Sequence, residues 1–238
     1  MGNNDVDATN AGMQSDIERR VLEAAKELFL HYGYDKTTMK DIANKAGVAK
    51  STIYVRWNKK ELLFDTLIWR ETSVYLDDWF QRIEADPKGG TYGGWMRHAI
   101  SAFFENPFLR QLYKGDQRVI GSMLQRRDMA ALFTQRQQMM MGFFQQMQAA
   151  GAVRKDIDAQ TLTYLMNSLR YGLIHMVDII PDEQSPPMES ALTMMAEMLE
   201  RFVEPAGGGD SEAGKRVLRD FMSQMRQFLA QFEEIQDK

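Results

Sequence analysis

Between Lys50 and Lys60 the chain offers Lys50, Ser51, Thr52, Tyr54, Val55, Arg56 and Lys60: cations, hydroxyls, a phenol and a methyl-bearing side chain. These types contact phosphate oxygens and base edges in a major groove. Other chemistry finds little footing. His31, His98 and His175 lie far apart and in no metal-ligand spacing, and neither HExxH nor GxSxG occurs. With no cysteine, disulfides, thiolate nucleophiles and thiolate metal sites are excluded. Gly209 to Lys215 reproduces the spacing of a phosphate-binding loop up to its lysine. Arg216 then stands where a Mg²⁺-binding Ser or Thr is needed, no strand precedes, and Asp210 and Glu212 would repel phosphate, so this is not a nucleotide site. No catalytic residue, metal or cofactor is expected.

The polar set needs a frame, and residues 38–57 supply one. Thr38 can cap a short helix, with Asp41 at its third position close to a capping box. Met39, Ile42, Ala43 and Ala46 fall on one face at helical spacing. Gly47 is suited to leave that helix through a left-handed conformation. A second helix from Ala49 turns Ile53 and Trp57 inward. Two helices crossing through so short a turn need a small residue at the crossing, a glycine in the turn and a branched apolar residue on the second helix. Ala43, Gly47 and Ile53 meet those needs, leaving Lys50, Ser51, Thr52, Tyr54, Val55 and Arg56 outward.

From Ser15 to Leu63 the chain resembles the N-terminal DNA-binding domain of the TetR family of bacterial transcriptional regulators. The likeness runs through Ala24, Ala25, Leu28, Phe29, Gly33-Tyr34, Thr37-Thr38, Asp41-Ile42-Ala43, Ala46-Gly47-Val48, Thr52-Ile53-Tyr54, Trp57, Lys60 and Leu63. Arg56 stands where an aromatic residue or His is common in the family, and Trp57 where Phe is usual. The resemblance implies that Tyr54 and Lys60 grip the DNA backbone and that a fourth helix links two domains.

Charge is divided accordingly. Residues 1–60 carry ten Lys/Arg and eight Asp/Glu (+2), whereas residues 61–238 carry nineteen and twenty-five (−6), which together give the net −4. Within 40–60 there are six cations and one acid, a positive field local to the proposed reading head.

The rest of the chain reads as all-α. Residues 1–14 are polar and expected to be a disordered arm. Ser15 and Glu18 can form a capping box for a first helix that ends at Gly33. Asn58 is expected to cap a long helix reaching about Glu84. The glycines and proline of 85–94 indicate a loop, followed by a helix over about Trp95–Phe104. Asn106-Pro107 reads as cap plus first helical residue. Further helices are expected over about 127–150, 159–180 (capped by Asp158) and 188–204. Pro205–Gly214 reads as a flexible linker. A final amphipathic helix follows, with Val217, Leu218, Phe221, Met225, Phe228, Phe232 and Ile235 on one stripe.

The expected organisation is therefore an arm (1–14), a three-helix helix-turn-helix DNA-binding domain (15–60), a helical effector-binding and dimerisation domain (61–204), a linker (205–214) and a C-terminal helix (215–238). The second domain is rich in Met and aromatic residues, a composition that suits a core and equally an adaptable pocket for a hydrophobic ligand. Candidate pocket residues are Trp95, His98, Phe103, Phe104, Met123, Met140, Phe144, Tyr164, Asn167, Tyr171 and His175. The resemblance implies release from DNA when a small molecule enters this domain, and a homodimer made by the two late helices, with Ser168, Gly172, Ala191, Met194, Met195 and Met198 available.

No leader and no run of eighteen apolar residues occurs, so a cytoplasmic protein without membrane contact is expected. The function expected is a transcriptional regulator, most simply a repressor on a palindromic operator. Two alternatives remain at this point. One is a DNA binder controlled by a protein partner through its last helix. The other is a helical ligand-binding protein with vestigial DNA binding.

Overall fold

The computed structural model describes residues 3–113 and 127–236, all in helices and their connections. The helices are α1 (Asn3–Tyr32), α2 (Met39–Ala46), α3 (Lys50–Arg56), α4 (Lys60–Ala85), α5 (Tyr92–Glu105), α6 (Pro107–Tyr113), α7 (Arg127–Ala149), α8 (Ala159–Ile179), α9 (Met188–Val203) and α10 (Ser211–Gln236). A 3₁₀ turn, Asp182–Gln184, lies between α8 and α9. The all-α expectation holds.

The described residues form two hydrophobic cores. The first joins Val21, Ala25, Phe29, Ile42, Ala43, Ile53 and Trp57 to Leu63, Phe64 and Leu67 of α4, and reaches Phe108 of α6. The second gathers Trp79 and Ile83 of α4, Tyr92, Trp95 and Ile100 of α5, Phe143, Phe144 and Met147 of α7, Leu162 of α8, Leu199 of α9, and Leu218, Phe221 and Met222 of α10. Helix α4 is common to both. At 26 residues it is about 39 Å long, enough to span the two.

Several boundaries differ from the sequence reading, each for a physical reason. Helix α1 runs from Asn3 through Ser15, so Ser15 caps nothing. Residues 3–14 contain no proline, and extending a formed helix adds one bond per residue fixed. The N-cap of α4 is Lys59 rather than Asn58, and no side chain caps it. Helix α5 starts at Tyr92, before the expected Trp95, with Thr91 Oγ1 accepting from Gly94 N. Gly93 and Gly94 are not breakers here; they permit close approach. A Cβ at Gly93 would lie 2.6 Å from the carbonyl oxygen of Ala196 on α9, and one at Gly94 2.0 Å from that of Lys88.

The segment expected to be a flexible linker is pinned. Glu204 accepts from Gly93 N and Gly209 N. Ser211 Oγ donates to Pro87 O and accepts from Gly90 N. Lys215, the lysine of the apparent phosphate loop, is buried and donates to Glu84 O at 3.3 Å. Helix α10 begins at Ser211, inside that segment. It lies on α4 and α7 of its own subunit, where Leu218, Phe221 and Met222 are buried and Arg219 grips Glu84 bidentately. The face that could have met a partner protein is thus used within the subunit as far as Met225. The side chains of Phe228, Phe232 and Ile235 lie outside the described residues, as do Gly115 and Gly121. The Asn106 and Asp158 caps are as expected: Asn106 Oδ1 accepts from Leu109 N and Asp158 Oδ2 from Thr161 N.

Candidate nucleic-acid interface

Thr38 closes a full capping box: Oγ1 accepts from Asp41 N at 3.2 Å while Asp41 Oδ2 accepts from Thr38 N at 3.0 Å. Hydrogen bonds from Thr38, first from its side chain and then from its backbone, hold the Asp41 carboxyl below its ordinary value. At the other end of α2, Gly47 has φ 65°, the left-handed conformation expected of it. Val48 N donates to Ala43 O across the turn. Ile53 and Trp57 are 1% and 3% exposed, so α3 is docked on one side and free on the other. Its free side presents Lys50, Ser51, Tyr54 and Val55, with Thr52 half-buried. Lys50 Nζ lies 5.3 Å from the centre of the Tyr54 ring, one helical turn away. Val55 is 83% exposed, an apolar group in water whose methyls can meet a thymine methyl.

Two of the expected contact residues are engaged elsewhere. Arg56 turns back from α3: its guanidinium lies 3.1 Å from Glu18 of α1 and 5.6 Å from the centre of the Trp57 ring. Lys60 Nζ donates to Tyr34 O at 2.8 Å and Thr37 O at 3.0 Å, and sits 4.1 Å over the Tyr34 ring. Burial pushes the Lys60 ammonium below its ordinary value, against the opposing charges of Asp35 and Glu61. Two of its three donors are spent, so Lys60 first ties α4 to the α1–α2 connection and retains one N–H for a phosphate.

Sequence reasoning missed three supports. Arg20 of α1 donates from Nη2 to the Ala46 and Gly47 carbonyls and so caps the C-terminal end of α2. Trp57 Nε1 donates to Thr66 Oγ1 at 2.9 Å, a bond from the end of α3 to α4 that the Phe usual in the resembled pattern cannot make. The third is Glu71 on α4, 2% exposed. It accepts from Lys26 of α1 at 2.8 Å and from Asn106, at the start of α6, at 3.0 Å, with Arg70 beside it at 3.0 Å. Burial pushes its carboxyl up, and these three partners outweigh burial, leaving it below its ordinary value. The signals in the sequence were slight: Trp for the usual Phe at 57, and for Arg20 and Glu71 only a charged residue within a helix.

The expected effector residues do not converge. Trp95, Phe103 and Phe144 are packed in the cores, with Phe104 and Met140 partly buried against them. His98 Nε2 pairs with Asp86 at 2.8 Å. Tyr164 and Tyr171 are 73% and 61% exposed; His175 stacks on the Tyr171 ring at 3.7 Å, and Asn167 bonds Gln137. Met123 lies outside the described residues. Met and aromatic composition suits a core as well as a pocket, and composition alone does not say which face of a helix meets the core. An open groove of about 1170 Å³ lies elsewhere, lined by Lys88, Arg154, Lys155, Glu200, Arg201 and the 205–209 loop, and none of the expected residues borders it.

Helices α8 and α9 carry a further feature. Tyr164, Leu165, Leu169, Ile179, Met194, Met198 and Phe202 are all exposed, although packing within the subunit was an equally natural reading of these helices. No helix among the described residues is long and apolar enough to cross a membrane.

A family model described as bacterial regulatory proteins, tetR family, matches residues 21–67. The uncharacterized HTH-type transcriptional regulator YhgD of Bacillus subtilis is 44% identical over 55 residues, 23% of this chain and 29% of that protein, so the match spans under a third of the relative. Solved structures extend the likeness in fold. FadR of Bacillus subtilis, in complex with stearoyl-CoA, has a TM-score of 0.59 at 17% identity, over 76% of this chain and 96% of its own. NalD of Pseudomonas aeruginosa, described as the secondary repressor of the MexAB-OprM multidrug efflux pump, has a TM-score of 0.54 at 18% identity, over 80% and 96%.

Proposed function

We propose, for a chain that belongs by its N-terminal domain to the TetR family, that it is a DNA-binding transcriptional regulator. It acts as a repressor: a homodimer sets two copies of α3 in successive major grooves of a palindromic operator and is released by a small hydrophobic effector. The observation that carries this reading is the docked recognition helix, with Ile53 buried and Lys50, Ser51, Tyr54 and Val55 turned to solvent beside a capped turn. Thr38, Thr52, Arg56 and Lys60 complete the contact set, Arg56 after exchanging its internal partner for phosphate and Lys60 through its remaining N–H.

A dimer suits both the chemistry and the surface. Two readers on half-sites about 34 Å apart, or a multiple of it, gain affinity that one cannot reach. The exposed side chains of α8 and α9, from Tyr164 to Phe202, offer apolar area of the kind that monomers rarely leave uncovered. Repression and small-molecule control are supported by fold-level likeness to NalD, a repressor, and to FadR, which binds stearoyl-CoA.

Selection of fragmented DNA from the source genome, with binding followed across salt concentration, tests the reading. One or a few palindromic sites are expected. Tyr54→Ala should weaken all binding about uniformly, whereas Lys50→Ala should relax sequence preference by about 1–3 kcal/mol at one position. Unchanged binding in both variants removes the reading head assigned here.

A further inference from the structure

Tyr92 and Trp95 stand three residues apart on α5, hence on one face. They are 0% and 3% exposed, with ring centres 5.1 Å apart in an edge-to-face arrangement. Neither Tyr92 Oη nor Trp95 Nε1 has a hydrogen-bond partner among the described residues. Their neighbour Trp79 shows that the same cluster can satisfy an indole, since its Nε1 donates to Trp95 O at 3.0 Å. An unpaired buried donor costs about 1–3 kcal/mol. Phenylalanine at position 92 would fill the same core without that cost, so two such donors on one face point to a partner beyond the described residues.

The chemistry of that partner follows from the two groups. An indole N–H donates only. Burial raises the Tyr92 phenol well above its ordinary value, so it stays protonated and can donate too. The rings against them (Trp79, Phe143 and Phe144) and the other members of their core, Met147 and Met222 included, are apolar, and a carboxylate against those side chains would be a poorly compensated buried charge. A cation is disfavoured as well, because an indole N–H offers it no lone pair. We propose that Tyr92 Oη and Trp95 Nε1 form the polar end of an effector site for a neutral, hydrophobic molecule bearing a carbonyl oxygen. The inference rests on the reading of the second domain as effector-binding. The site is closed around its aromatic rings, and Met147 and Met222 are the side chains that can re-pack to admit the body of the ligand.

Calorimetric titration of the full chain with three probes of one shape tests it: 2-acetylnaphthalene, 2-isopropylnaphthalene and 2-naphthoate. The ketone is expected to bind roughly ten-fold more tightly than the hydrocarbon, the effect of one good hydrogen bond, and the carboxylate least. In Tyr92→Phe/Trp95→Phe that preference should vanish while the hydrocarbon still binds, and in Tyr92→Phe alone, which opens no cavity, the melting temperature should stay level or rise. Equal affinity for ketone and hydrocarbon overturns the inference and leaves the effector-binding reading standing. Preference for the carboxylate overturns the neutral class. A fall in melting temperature with loss of no ligand preference identifies a buried water as the partner and also overturns it. If none of the probes binds, and none releases the protein from its selected DNA, the inference fails together with the hydrophobic-effector reading.

Discussion

At the residue scale, Glu18 and Arg56 carry the sharpest consequence. Arg56 sits at the end of the recognition helix, yet its guanidinium is held 3.1 Å from a carboxylate on α1. For Arg56 to meet a DNA phosphate, as proposed, the protein must give up this internal pair to gain that external contact. Glu18→Gln should therefore raise DNA affinity several-fold and steepen the dependence of log affinity on log salt by about 0.9, one phosphate's worth. Fluorescence anisotropy on a labelled operator duplex across a salt series measures both, and an unchanged slope would show that Arg56 never reaches the backbone. The arginine was legible in the sequence as an outward cation; its partner was not, because Glu18 lies 38 positions earlier in the chain and no local pattern links the two.

At the scale of elements, the reading head was legible because its determinants are local. Thr38, Asp41, Gly47 and Ile53 act within one cap, one turn and one docking face, and each did what its type and spacing predicted. The second domain was less legible. Gly93 and Gly94 read as loop formers, whereas their reason lies in Ala196 and Lys88 pressing on the start of α5. The junction at Glu71 was hidden for the same cause: it joins α1, α4 and the start of α6 through residues far apart in sequence. Its carboxyl titrates below its ordinary 4.5 when folded, so its contribution to stability is complete above that pH and is lost as pH falls through the lower, folded value. Glu71→Gln is expected to cost about 2 kcal/mol at neutral pH, less than a fully buried pair because Lys26 keeps some access to water. It should also flatten the acid limb of the melting temperature, as differential scanning calorimetry between pH 3 and 7 (roughly the range over which paired carboxylates matter) would register.

At the scale of the whole molecule, the apolar side chains left bare on α8 and α9 are the surface the proposed second copy would cover. Met198→Glu, at a residue 62% exposed, leaves the subunit's own cores untouched and should place a charge inside the proposed dimer contact. Sedimentation velocity should then show monomers at micromolar concentration, and operator affinity should fall on the order of 10²-fold as two linked readers become two separate ones. A dimer that persists would move the interface off α9. Within one subunit, α10 has a different consequence, one of timing. Leu218, Phe221 and Met222 enter the second core, and Arg219 closes on Glu84, 135 positions earlier. During synthesis the first 67 residues can assemble their own core early, with α6 following to seat Phe108. The second core is complete only once Leu218, Phe221 and Met222 have been made, and domains complete in that order from the N-terminus. A message truncated before Leu218 would thus yield a polypeptide with a complete first core, the one that docks α3, and a second core missing one wall.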